Sequence, residues 1–311
     1  MKDKFIIGTR GSKLAIYQAE KTKEALFNAY PDLPVEIKII QTKGDKILDV
    51  ALSKFGDKGL FTKEIEVALL NNKADIAVHS LKDLPTTLPE GLELGAVLER
   101  GEFRDALVNL NGKKINELTP SDIIATSSLR RQAALLNLHP EITIKDIRGN
   151  VQTRLKRMEE GYCDAMIMAA AGLQRLGLEK YISEIIDPTV IMPAVAQGTI
   201  AIEIRENDSE VKKIIEAINH QATETAVLAE RAFLRTLEGG CQVPLGCYSQ
   251  INGEDIVLHG FVASTNGKEF IKESVCGSGS RSNPEECGVK LAQKLIDKGA
   301  KTILEQIRKN N

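Results

Sequence analysis

One order of apolar and amphipathic segments occurs twice in this chain, and that duplication limits the folds open to it. Strand-like Phe5–Thr9 is followed by a helical pattern over Ser12–Tyr30, strand-like Val35–Thr42, helical Leu60–Asn71 and strand-like Ala74–His79. The second pass begins at Asp122: strand Ile123–Thr126, helix Leu129–Leu138, strand Ile142–Ile147, helix Val151–Glu160, strand Ala165–Ala170. Strands alternating with helices predict a parallel-type α/β sheet in each pass. Letters repeat as well. Ile6-Ile7-Gly8-Thr9-Arg10-Gly11-Ser12 answers to Ile123-Ile124-Ala125-Thr126-Ser127-Ser128, and Gln41-Thr42-Lys43-Gly44-Asp45 to Asp146-Ile147-Arg148-Gly149-Asn150. The segment from Asp75 to Leu84 likewise echoes the segment from Asp164 to Leu173.

Two similar α/β lobes facing each other across a cleft are the simplest reading. Ligands of such sheets sit beyond the carboxyl ends of the strands, where helix N-termini point N–H groups at anions. From His220 the pattern changes to a long helix over Ala222–Leu237, a glycine-rich turn, strands near Tyr248–Ile251, Ile256–Ala263 and Glu269–Val275, and a final helix over Pro284–Arg308. This reads as a small α+β third domain. A strand-like Thr199–Ile204 is expected to return to the first lobe, so that the chain crosses between lobes twice and forms a hinge. The expected boundaries are 1–98 with 198–217 for the first lobe, 103–192 for the second, and 220–311 for the third domain. A chain of 311 residues has the length for two or three cores.

Charge is informative in its distribution. Across the chain 41 Lys and Arg face 43 Asp and Glu, which argues against a partner held by net basicity. Between Thr126 and Arg157, however, seven basic residues (Arg130, Arg131, Lys145, Arg148, Arg154, Lys156, Arg157) face two acidic ones (Glu141, Asp146), a local excess of five. An anionic ligand is expected there, although Lys156 and Arg157 alone read as a solvated helix face. The absence of Trp, with aromatic residues at 4%, disfavours a nucleic-acid binder that stacks bases. The longest apolar run, about Ala165 to Leu173, is far short of the ~20 residues that span a bilayer, and no secretory h-region opens the chain. A cytoplasmic protein with five reduced cysteines, and a monomer, is expected.

Common cofactor signatures are missing. The four histidines are scattered, and neither a Cys-x-x-Cys, a phosphate loop nor a Gly-x-Gly-x-x-Gly fingerprint occurs. Two strings are unusual. In Leu237-Glu238-Gly239-Gly240-Cys241-Gln242-Val243-Pro244, a cysteine sits on a glycine-flanked turn after a helix, where a large group can approach its thiol. From these residues alone, a functional thiol and a small buried hydrophobe both stay open for Cys241; for Cys163, Cys247, Cys276 and Cys287 the buried hydrophobe is expected. In Val78-His79-Ser80-Leu81-Lys82-Asp83-Leu84-Pro85 a polar cluster follows a buried-type strand, which puts Lys82 and Asp83 at its carboxyl end. Taken alone, that pair reads more readily as a surface ion pair.

Together these strings resemble the porphobilinogen deaminase family over essentially the whole chain. The resemblance is carried by Gly8-Thr9-Arg10-Gly11-Ser12-Lys13-Leu14-Ala15, Thr42-Lys43-Gly44-Asp45, Lys58-Gly59-Leu60-Phe61 and His79-Ser80-Leu81-Lys82-Asp83. It continues in Thr126-Ser127-Ser128-Leu129-Arg130-Arg131-Gln132, the stretch from Arg148 to Arg154, Ala170-Ala171-Gly172-Leu173, and Glu238-Gly239-Gly240-Cys241-Gln242-Val243-Pro244. One departure is Ala196, where the family usually has Gly.

The resemblance implies a transferase of haem and tetrapyrrole biosynthesis, with two lobes like periplasmic-binding-protein domains. It would join four porphobilinogen molecules head to tail with loss of ammonia, on a covalent dipyrromethane cofactor, and release the linear tetrapyrrole hydroxymethylbilane. By the same resemblance the cofactor is attached through Cys241, its carboxylates are held by Lys82, Ser128, Arg130, Arg131 and Arg154, and Asp83 is the catalytic carboxylate beside the pyrrole nitrogens. Arg10 and Ser12 would help bind incoming substrate, Arg148, Arg154 and Arg175 would support elongation, and Arg205 is a weaker candidate. Each pyrrole carries an acetate and a propionate, so a growing chain needs many guanidinium and ammonium partners. The segment from Lys43 to Lys58 is expected to be a mobile lid. A rival of another class is a solute-binding protein that clamps an anion without chemistry; Cys241 on its turn and the missing secretion signal speak against it.

Overall fold

A computed structural model describes residues 4–46, 61–238, 243–253, 255–278 and 283–310. The chain divides into two compact units, residues 1–101 with 198–224, and residues 102–197 with 225–311.

In chain order the first unit supplies β1 (Phe5–Thr9), α1 (Lys13–Ala29), β2 (Val35–Ile39), α2 (Lys43–Lys46), α3 (Lys63–Leu70), β3 (Ile76–Ser80) and β4 (Leu92–Val97). The second unit then supplies β5 (Asp105–Asn109), β6 (Ile123–Ala125), α4 (Leu129–Leu138), β7 (Thr143–Lys145), α5 (Val151–Glu159), β8 (Ala165–Ala169), α6 (Ala170–Gln174) and β9 (Ile182–Ile185). The chain returns to the first unit for β10 (Ile200–Arg205) and α7 (Ser209–Glu216). It ends with α8 (Gln221–Thr236), β11 (Leu245–Asn252), β12 (Asp255–Ala263), β13 (Phe270–Ser278), α9 (Pro284–Asp297) and α10 (Ala300–Asn310).

The expected duplication is present in the topology. The first sheet has the order β2-β1-β3-β10-β4 and the second the order β7-β6-β8-β5-β9. In each, four strands share one direction and a fifth, contributed from next to a crossing of the chain, is inserted antiparallel between two of them. The sheets are therefore mixed, which corrects the expectation of a parallel-type sheet. The reason is non-local: β10 and β5 come from beside the crossings between units, not from a strand–helix–strand connection. Equivalent atoms repeat too. Asp75 accepts from the Ile6 N–H at 2.7 Å, and Asp164 accepts from the Ile123 N–H at 2.8 Å. In return the Asp75 and Asp164 N–H groups donate to the Ile6 and Ile123 carbonyls.

Burial explains the elements. β3 and β8 are central strands buried at all but their last residue, His79 included, with Ile76, Val78, Met166 and Met168 in the cores of their units. The core of the first unit gathers Phe5, Ile7, Leu26, Ile76, Ile202 and Ile204. In the second unit one core lies under α5 around Leu155, Met158 and Met166, and another under α4 around Leu107, Leu135 and Ile167.

The C-terminal residues form a separate antiparallel sheet, β11-β12-β13, within the second unit. It is tied to the rest of that unit by hydrogen bonds: the Asn137 side-chain amide Nδ2 donates to the Gly267 carbonyl at 3.0 Å, and the Cys247 N–H to the Pro193 carbonyl at 3.1 Å. The single final helix expected from sequence is two helices. Gly299, at φ 100°, takes the left-handed conformation that ends α9, and α10 starts at the next residue. Among the described residues no helix is long and apolar enough to cross a membrane.

Candidate active site

In the first unit, the carboxyl ends of the neighbouring strands β1 and β3 carry Arg10, Ser12, Lys82 and Asp83. Ser12 is the N-cap of α1, its hydroxyl accepting from the Ala15 N–H at 3.2 Å. The Arg10 guanidinium lies 4.2 Å from the centre of the Phe61 ring, a cation–π contact that holds a long side chain in place. After β3 the chain makes a single 3₁₀ turn, Leu81–Asp83. Buried Leu81 and Leu84 bracket that turn, and the Leu81 N–H is fixed to the Thr199 carbonyl at 3.0 Å. With both leucines inward, Lys82 is half-buried and Asp83 is exposed. The turn thus presents a carboxylate to solvent on a rigidly held backbone. Gln18 reaches across from α1 to the Ser80 hydroxyl at 2.8 Å and steadies the same strand end.

Behind this turn lies a buried polar group that sequence reading missed. His79 Nε2 and Glu203 Oε2 are 2.9 Å apart, both side chains almost fully inaccessible, and Glu66 on α3 is buried beside them. Burial, with the Glu203 charge adding to it, pushes the Glu66 carboxyl above the ordinary range. A signal was present in Ile200-Ala-Ile-Glu-Ile, an acid inside a strand that is otherwise apolar.

In the second unit the carboxyl edge of the sheet is strongly cationic. Arg130 and Arg131 occupy the first turn of α4, Arg148 the connection from β7 to α5, Arg154 the first turn of α5, and Arg175 the C-cap of short α6. The turns are cross-braced: Ser127 Oγ donates to the Ile147 carbonyl at 2.9 Å and accepts from its N–H at 3.0 Å. Gly149, at φ 106°, makes the sharp bend before the Asn150 N-cap of α5, and Arg154 Nε donates to the Gly149 carbonyl at 2.8 Å. Ser128 is the N-cap residue of α4 and makes no side-chain capping bond there.

Arg130 and Arg131 are buried, at 5% and 7% exposure, and both converge on Asp105, which is fully buried. Arg130 Nη1 donates to Asp105 Oδ2 at 2.7 Å and to the Met192 carbonyl at 2.6 Å. Arg131 Nη2 donates to Asp105 Oδ1 at 2.7 Å, and its Nη1 to the Ile167 carbonyl at 3.0 Å. Burial alone would push the Asp105 carboxyl up; the two guanidinium charges outweigh it and hold the group well below the usual carboxylate range. The cluster keeps one net positive charge, and Arg131 Nε is buried with no acceptor. An orphaned cationic donor of this kind fits a carboxylate-bearing group.

Cys241 lies outside the described residues, as do positions 47–58 of the expected lid. Cys163, Cys247 and Cys287 are buried, and burial pushes the Cys163 thiol up to about 11. Cys276 differs from its expected place in a core: it is exposed, on β13. Arg205 is not with the other cations. Because β10 runs antiparallel to β3, its last residue falls at the opposite edge of the sheet, where Arg205 binds the Leu69 and Ala74 carbonyls and Asp208.

Comparison with known proteins was consistent over the whole chain. Residues 5–213 match the family model described as "Porphobilinogen deaminase, dipyromethane cofactor binding domain", and residues 224–297 match "Porphobilinogen deaminase, C-terminal domain". A porphobilinogen deaminase of Nostoc sp. is 49% identical over 97% of this chain and 94% of its own. That of Carboxydothermus hydrogenoformans is 48% identical over 100% and 99%, and that of Parasynechococcus marenigrum 50% identical over 97% and 95%. Among solved structures, the methionine binding protein MetQ aligns at 13% identity with a TM-score of 0.44, over 71% of this chain and 92% of that one.

Proposed function

This chain belongs to the porphobilinogen deaminase family, and from that premise we propose which of its residues carry the reaction. The chain is a transferase of tetrapyrrole biosynthesis that condenses porphobilinogen with loss of ammonia, and dipyrromethane is its cofactor. When bound, that group supplies the free pyrrole carbon onto which each unit is added.

Cys241 is the attachment point, through a thioether. Arg130, Arg131, Arg154, Ser128 and Lys82 hold the cofactor's carboxylates. The observation that supports this most directly is the buried Arg130–Asp105–Arg131 cluster, which retains a positive charge and an unpartnered Arg131 Nε. An anion entering there exchanges its water for donors already desolvated, in a medium where opposite charges about 4 Å apart attract by ~4 kcal/mol at an effective dielectric near 20. Arg10 and Ser12 bind the carboxylates of incoming porphobilinogen, and Arg148, Arg154 and Arg175 take up those of the lengthening product.

Asp83 accepts hydrogen bonds from pyrrole N–H groups and stabilises the positive charge that develops on the porphobilinogen ring as ammonia leaves. It then assists removal of the proton from the ring carbon that has formed the new bond. Its exposure on a turn pinned by Leu81 and Leu84 suits a carboxylate that must meet successive rings. A monomer acting in the cytoplasm completes the reading.

The test is stoichiometric. Incubation with porphobilinogen should release four ammonia molecules per linear tetrapyrrole formed. Binding of porphobilinogen without ammonia release would refute the reading and favour a solute clamp.

A further inference from the structure

Arg130 and Arg131 are consecutive residues of α4, so their side chains leave the helix about 100° apart and would diverge. They also carry like charges. In the structure they nonetheless meet, because one carboxylate offers one oxygen to each: Asp105 Oδ2 to Arg130 and Oδ1 to Arg131, both at 2.7 Å. Asp105 is itself fixed from a third side. Gln197 Nε2 donates to Oδ1 at 2.9 Å and to the Phe103 carbonyl at 2.8 Å. Gln197 is the last residue before the chain leaves this unit for β10.

We propose that Asp105 is a positioning residue for cofactor loading, holding the Arg130 and Arg131 guanidiniums as a preformed half-site whose missing partner is a carboxylate of the pyrrole cofactor. The proposal rests on the reading that these arginines hold that group. Two observations point to a ligand independently of the ion pairs. Two buried cations share one buried anion, which leaves a net charge of one, and the buried Arg131 Nε has no acceptor. A buried cluster whose sole purpose was stability would be expected to balance its charge and satisfy its donors. Asp105 also sets the sign of the half-site. With it the cluster binds an anion; without it two unpaired cations repel, and each swings to its own backbone carbonyl, at Met192 or Ile167.

The experiment follows cofactor loading by intact mass, with thermal unfolding of the cofactor-free chain as the control for folding. Four proteins are compared: wild type, Asp105→Asn, Arg131→Met, and the double variant. Asp105→Asn raises the buried net charge from one to two, and its fold is expected to suffer. The double variant returns the charge to one and keeps the test open if the single variant does not fold. Arg131→Met alone leaves a balanced Arg130–Asp105 pair.

If Asp105 positions Arg130, adding Asp105→Asn to Arg131→Met slows loading by porphobilinogen by up to about 10²-fold relative to Arg131→Met alone, the loss that misplacing a group by about 1 Å can cause. Loading of the double variant at the rate of Arg131→Met, or faster, would mean that Asp105 only balances charge, and would overturn the proposal. So would an Asp105→Asn chain that loads like wild type. Absence of any added mass on wild type would refute the underlying reading, and the proposal with it, and is recognised before any variant is made.

Discussion

The N–H of Ala196 donates to Oε2 of the buried Glu230 at 2.7 Å, and to make that bond Ala196 sits at φ 58°, in the left-handed region. Glu230 also accepts from the N–H and the hydroxyl of Ser249, so one buried carboxylate links the end of the second lobe to α8 and β11. Ala196 is the position at which the resemblance calls for glycine, and its backbone conformation supplies the reason.

Replacing Ala196 by Gly should therefore stabilise the chain. An L-residue in this conformation is penalised by about 1–2 kcal/mol, while glycine loses about 0.5–1 kcal/mol more backbone entropy on folding. The expected gain is up to about 1 kcal/mol, read as a higher urea midpoint at unchanged slope. A fall in the midpoint would show that the buried methyl group contributes more than its backbone strain costs.

Glu66 predicts a pH dependence of stability. Its folded-state carboxyl is raised, by burial first and by the Glu203 charge next; Thr62, His79 and Lys63 oppose that shift. A raised carboxyl binds its proton more tightly in the folded state. Its contribution is complete below the unfolded value of about 4.3 and is lost as pH rises through the folded value. Glu66→Gln cannot lose that proton, so its urea midpoint should match wild type near about pH 4 and exceed it increasingly toward about pH 8. Parallel curves would place Glu66 outside this linkage.

Glu273 predicts the opposite sign. Hydrogen bonds from Lys294 and Lys298 lower its carboxyl to about 2, so its contribution is present above the ordinary carboxylate value and is lost as pH falls through that range. Glu273→Gln loses that contribution, so its urea midpoint should lie below wild type at neutral pH and converge with it as the pH falls, which flattens the acid limb of the stability profile. An acid limb identical to wild type would show that the pairs are silent.

Much of this was legible in the letters because it is local. Asp75 and Asp164 mark the same position in both repeats, and the strands β1, β3, β6 and β8 are runs of apolar residues bounded by turn signals. What was not legible depends on partners far along the chain. β5, Asp-Ala-Leu-Val-Asn, is short, polar at both ends and without alternation, and its place is set by pairing with β8, whose Ile167 opposite Leu107 is 60 residues on in sequence. The clamp it carries was hidden for the same reason: Asp105 meets arginines 25 and 26 residues on, and the glutamine 92 residues on. The antiparallel return of β10, which sends Arg205 to the wrong edge for a ligand, is equally non-local.

Asp83 and Arg148 should be separable by their variants. Asp83→Asn keeps size and some hydrogen bonding but loses the charge that faces the developing cation, so kcat should fall by about 10²–10³ while the cofactor stays attached. Arg148→Leu removes a carboxylate partner, so mass spectra after a pulse of porphobilinogen should show partly elongated species accumulating. A near wild-type rate for Asp83→Asn would move the catalytic role to another group.

The most direct test of the account is the intact mass of the purified chain and of Cys241→Ser. The wild-type chain should exceed its sequence mass by one dipyrromethane and gain further pyrrole units on brief exposure to porphobilinogen. Cys241→Ser should fold, carry no added mass and gain none, because a serine hydroxyl is a far poorer nucleophile than a cysteine thiolate. A Cys241→Ser protein that bears the same added mass and extends it at the wild-type rate would contradict the account.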